Sequence, residues 1–141
     1  MAMKFPSEEY IHAVMEVINN DQQYAQVARN WEGDIIFFVE PDGGVEGQDL
    51  PMTLYFDLWH GKCRQVRFID PNTEELPDAA YTLTASRYNY LRVLRGELDP
   101  MQAMITRRLK VDGSMGYMLR NVPTILHFVR CCGLVEIEAD N

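Results

Sequence analysis

The chain has 141 residues, the length of one ordinary domain, and its 47% hydrophobic and 24% charged content is that of a soluble globular protein, not of a disordered or fibrous one. Its 21 acidic against 13 basic residues leave a formal net charge of −8, which argues against a general phosphate-backbone binder, so nucleic acid is not an expected partner. No stretch approaches the roughly 20 apolar residues that cross a bilayer, the start lacks the apolar core of a signal peptide, and three cysteines are too sparse for a disulfide framework; a reducing, cytoplasmic setting is expected.

The first element is a helix, because Pro6 and Ser7 precede Ile11, Val14, Met15 and Ile18, which recur at the spacing of one helix face. Ser7 is placed as its N-cap, with Glu8 and Glu9 near the positive end of the dipole. A second short helix follows Asp21, carrying Tyr24, Val27, Ala28 and Trp31. Asp34 to Glu40 is an apolar run rich in β-formers and too short for a typical helix, and Pro41 to Gly44 supplies a turn after it. Met52, Leu54, Phe56 and Leu58 alternate with Thr53, Tyr55, Asp57 and Trp59, the period of a strand with one face more buried. His60-Gly61-Lys62 connects it to a strand from Cys63 to Ile69, predicting a hairpin. A polar loop then runs from Asp70 to Asp78, and Tyr81 to Ala85 reads as a fourth strand.

Ser86 caps the next predicted helix, which bears Tyr90, Leu91 and Leu94 and ends at Gly96. Asp99-Pro100 is a helix-start pair, with Asp as cap and Pro at the first helical position, ahead of Met101, Met104 and Ile105. Leu109 and Val111 mark a short strand. After Gly113-Ser114 the last long helix aligns Met115, Met118, Leu119, Val122, Ile125, Leu126 and Val129 in one apolar stripe, and Pro123 is expected to kink or split it. With no repeat or linker, residues 1–141 read as a single α+β domain.

Enzymatic signatures are sparse: there is no Gly-rich phosphate loop, no nucleophile elbow and no zinc helix. His12, His60 and His127 lie on different elements and read as structural histidines in preference to a general base. A zinc site from His127, Cys131 and Cys132 is disfavoured by the adjacent cysteines and the missing fourth ligand. No enzymatic activity, metal or cofactor is therefore expected. Four of the eight methionines fall between Met101 and Met118. Core packing accounts for any one of them; as a group they suit an apolar pocket whose flexible thioether lining adapts to a hydrophobic ligand.

Leu94-Arg-Gly-Glu-Leu-Asp-Pro-Met-Gln-Ala-Met104 followed by Leu109-Lys-Val-Asp-Gly113 resembles the signature segment of the sterol carrier protein type 2 family of lipid-binding domains. The resemblance is detailed over the second half; in the first half only the order of helices and strands agrees. It implies about five mostly antiparallel strands covered on one face by helices around a hydrophobic tunnel, and binding without chemical conversion of a fatty acyl, sterol-like or isoprenoid ligand. Carried over by position, Met101, Met104, Ile105, Met115, Met118, Leu119, Val122 and Leu126 would line the tunnel, with Phe56, Leu58 and Phe68 added from strand alternation. An alternative is an accessory module that presents a lipid intermediate to an enzyme or assembles with it, and transient contact with a membrane is also compatible; the oligomeric state is not legible.

Two departures stand out. Arg107-Arg108 occupies the place where the family carries Gly before a basic residue, which suggests a different turn. The end, Ile137 to Asn141, is not the peroxisomal address of the eukaryotic relatives, which suggests a prokaryotic setting. Between Arg87 and Arg130 there are eight basic and three acidic residues, so the acidic total hides a basic segment in which Arg107 and Arg108 are candidates for a lipid head group.

Overall fold

The computed structural model describes residues 2–41 and 52–138. Two helices come first, α1 (Glu8–Asn20) and α2 (Gln22–Val27). Ser7 Oγ accepts from the Tyr10 amide and caps α1, and Asp21 caps α2 by accepting from the Tyr24 amide. α2 stops before Trp31, which lies just past the following turn with its indole Nε1–H donating to the Gly33 carbonyl at 2.9 Å. Four strands follow: β1 (Ile35–Glu40), β2 (Met52–Trp59), β3 (Lys62–Ile69) and β4 (Tyr81–Ser86). Of the turn predicted from Pro41 to Gly44, positions 42–44 lie outside the described residues. The second half contains α3 (Arg87–Leu94), α4 (Pro100–Ile105), β5 (Lys110–Asp112), α5 (Met115–Arg120) and α6 (Val122–Leu134).

The sheet order is β3-β2-β1-β4-β5. Every neighbouring pair is antiparallel except β1 and β4, which run parallel with Ile35 opposite Tyr81. The β2–β3 hairpin turns at His60 (φ 50°) and Gly61 (φ 80°), both left-handed as a two-residue turn of the right twist requires. Gly61 also has no room for a side chain, since a Cβ there would lie 2.7 Å from the Ala25 carbonyl oxygen.

Alternation places Leu54, Phe56 and Leu58 in the core, as the period of β2 predicts. Phe37 on β1 is the hub: its ring stacks on Tyr90 of α3 and meets Phe56 and Phe128 of α6 edge-on. α6 is thereby seated on the sheet, and its C-terminal end is fixed twice more. The buried Tyr10 hydroxyl donates to the Cys132 carbonyl at 2.8 Å, and Gly133 approaches the Leu94 carbonyl so closely that no Cβ fits between them.

Three expectations change. The stripe read as one long helix is divided at Asn121, so α5 and α6 present different faces; Met118 and Ile125 are buried, but Met115, Leu119 and Leu126 are exposed. Phe128, Cys131 and Cys132 provide the buried side of α6 together with Thr124 and Ile125. Asp99 stands at the N-cap of α4 without making a side-chain capping bond. Arg107 does not mark a different turn: with φ 61° it adopts the left-handed geometry that glycine would take at this helix exit.

Candidate functional site

The centre of the helical layer holds a closed cavity of about 20 Å³, room for about one water, onto which no polar atom opens. Its floor is the sheet, through Phe37 and Leu83. Tyr90, Val93 and Leu94 of α3 form one wall, Pro100 and Met104 of α4 with Leu109 a second, and Ile125, Phe128, Val129 and Cys132 of α6 a third. The one hydroxyl in the lining is turned away, because Tyr90 Oη donates to the Leu83 carbonyl. Burial raises its ionisation well above the ordinary tyrosine range, so it remains a neutral donor.

The expected tunnel is therefore closed in this structure. Of the predicted lining residues, Met104 stands on the cavity wall. Phe56, Leu58 and Met118 are fully buried in the surrounding core, and Phe68, Met101 and Val122 are partly buried. Ile105 is 74% exposed and Leu119 58%, so both face solvent, as does Met115 at 38%. Leu126 turns outward into an open groove of about 510 Å³ formed by the end of α3, the start of α4 and the second half of α6. Val93, Leu94, Pro100 and Val129 belong to both spaces, so a single layer of side chains separates groove from cavity. Arg107 and Arg108 line neither; the basic residues of the groove are Arg95 and Arg130.

Sequence reasoning missed Phe37, Leu83, Val93, Phe128 and Cys132 of the cavity wall. The signal for Phe128 was present, since it follows Ile125 by three residues and precedes Cys132 by four, a second stripe parallel to the chosen one. Phe37 had no such signal, because β1 is apolar on both sides.

α4 is the weakest wall. It is six residues long, its cap makes no side-chain bond, and it buries Pro100, Ala103 and Met104. It is bracketed by two left-handed residues, Gly96 (φ 76°) and Arg107.

Reactive chemistry is poorly served. Burial pushes the Cys63 thiol up to about 12 and Cys131 up to about 11, and Cys132 is raised well above the ordinary thiol range for the same reason. A protonated, buried thiol is a weak nucleophile and a poor metal ligand. His60 Nε2 lies 2.7 Å from Glu32 and His12 Nε2 3.5 Å from Glu8, both at the surface and away from the cavity. Among the described residues no group of three or more His, Cys, Asp or Glu side chains is placed to hold a metal. What the arrangement can do is exclude water and hold apolar matter.

A five-stranded sheet whose helices enclose a dry apolar interior is the architecture of a small α+β domain. The model of the SCP-2 sterol transfer family matches residues 13–125, and the chain belongs to that family. Lipid binding and transfer is the family's general activity. The fold agrees: a crystal structure of sterol carrier protein 2 is 22% identical with a TM-score of 0.83, over 94% of this chain and 99% of that one. A Thermus thermophilus protein described as possibly a sterol carrier protein is 22% identical with a TM-score of 0.82, over 99% of this chain and 94% of that one. A palmitated SCP2L2 from Aedes aegypti is 15% identical with a TM-score of 0.56, over 86% of this chain and 95% of that one. No curated protein matches this chain.

Proposed function

We propose that this protein is a non-catalytic carrier that takes the apolar part of a lipid into the cavity beneath α4 and releases it unchanged. The observation that carries the reading is the cavity's wholly apolar lining behind one layer of side chains, in a member of a lipid-transfer family. The closed volume admits no lipid, so loading displaces α4, the least anchored wall, and the ligand's own methylenes replace Met104 against Phe128 and Ile125. Each buried methylene contributes about 0.8 kcal/mol, enough for a long chain to bind with few polar contacts. A fatty acyl chain fits best, because a flexible chain needs a narrower opening than a rigid sterol or a branched isoprenoid; the Aedes aegypti protein of this fold is described as palmitated.

The test is to delipidate the protein in organic solvent, refold it, and titrate it with a fluorescent fatty-acyl probe, alongside native mass spectrometry of unextracted protein. Saturable binding of one probe per chain is expected. An absence of saturable binding together with no co-purifying lipid mass would overturn the reading.

A further inference from the structure

We propose that the open groove is the mouth of the site and that Arg95 holds the anionic head of a single-chain amphiphile there. The inference deepens the carrier reading and rests on it. Because Val93, Leu94, Pro100 and Val129 face both spaces, an acyl chain whose tail lies in the cavity passes between these side chains and leaves its head in the groove.

One guanidinium on that groove, that of Arg95, has donors to spare. The Arg95 side chain is exposed and has no hydrogen bond or ion pair among the described residues. Arg130, also on the lining, is committed elsewhere, giving an Nη2–H to Asp21 Oδ2 at 2.7 Å. A carboxylate is the acceptor that a guanidinium's planar fork matches best. A lone hydroxyl head would satisfy only one donor. The remaining charge on the lining is Asp99, which is exposed and offsets part of the positive field without closing an ion pair. Arg107 and Arg108, the basic pair singled out from sequence, lie outside this groove.

The experiment compares a fluorescent long-chain fatty acid with the fatty alcohol of the same chain, on wild type, Arg95→Gln, Arg95→Lys and the Arg107→Gln/Arg108→Gln double variant. Arg95→Gln is expected to weaken the acid by about fivefold and leave the alcohol unchanged, the effect of removing one partly solvated ion pair. Arg95→Lys should restore most of the loss, the double variant should match wild type, and added salt should weaken the acid alone. Equal losses for acid and alcohol, or an acid affinity unmoved by Arg95→Gln, would overturn the head-group assignment while leaving the carrier reading intact. A larger loss of acid binding in the double variant than in Arg95→Gln would move the head group to Arg107 and Arg108. Wild type that binds neither probe would overturn both.

Discussion

Arg107 holds a backbone conformation that costs an L-residue about 1–2 kcal/mol, at a helix exit where glycine would hold it freely. Arg107→Gly is therefore expected to raise stability by about 1 kcal/mol, read as a higher urea midpoint with unchanged slope; a lower midpoint would show that the arginine side chain makes a compensating contact. The thiols give a second expectation at this scale. Because burial keeps Cys63, Cys131 and Cys132 protonated, none should react with a maleimide at neutral pH in the folded protein, and all three should react in denaturant. Rapid labelling of native protein would contradict the packing around them. Single residues were unevenly legible in the sequence. Ser7 and Ser86 were read as caps and make the capping bonds, whereas Asp99, read on the same signal, makes none. The left-handed turn at Arg107 was hidden, since arginine carries no local signal for positive φ.

Among the elements, the strands were read closely and the last helices were not. In β2 the period of two is physical, because successive side chains point to opposite faces whatever packs there. The apolar stripe after Ser114 assumed one continuous axis, and the division at Asn121 rotates α6 relative to α5, so that Leu119 and Leu126 leave the core while Phe128 enters it. Pro123 signalled that division but not its angle. α4 is the element with least to hold it, and capping measures this. Ser7→Ala should cost about 1 kcal/mol, because it removes the oxygen that accepts from the Tyr10 amide, whereas Asp99→Ala should cost only a few tenths of that, since no capping bond is lost. Thermal melts of the two variants under identical buffer conditions compare them directly; equal losses would mean that Asp99 caps α4 in solution.

The site belongs to the whole molecule, and that is why only part of it was legible. Met104 stands on the cavity wall, but its companions Phe37, Leu83, Tyr90 and Phe128 come from four elements whose meeting depends on β1 lying beside β4, a pairing across 46 positions that no local pattern encodes. Long-range charge ties the same assembly together. The Tyr24 amide, and then the Arg130 guanidinium of α6, hold the Asp21 carboxyl below its ordinary value, despite partial burial acting the other way. A lowered carboxyl stabilises the fold above its unfolded value, and the contribution fades as pH falls through the folded one. Asp21→Asn keeps an acceptor for the Tyr24 amide and removes the ion pair. It should therefore lose under about 1 kcal/mol near neutrality, with the gap to wild type narrowing in acid, as urea titrations across pH would record. A gap that widened in acid would reverse this assignment.

The fixing of α6 at its C-terminal end has one more consequence. With the Tyr10 hydroxyl on the Cys132 carbonyl and Gly133 against Leu94, α6 is the anchored wall of the cavity, and in the proposed carrier α4 is the wall that would yield. In the proposed carrier, anything that stabilises α4 in its closed position would slow loading and weaken binding together, because the loaded state holds α4 displaced. Such a carrier would have its grip on the cargo and the tempo of exchange coupled through one short helix.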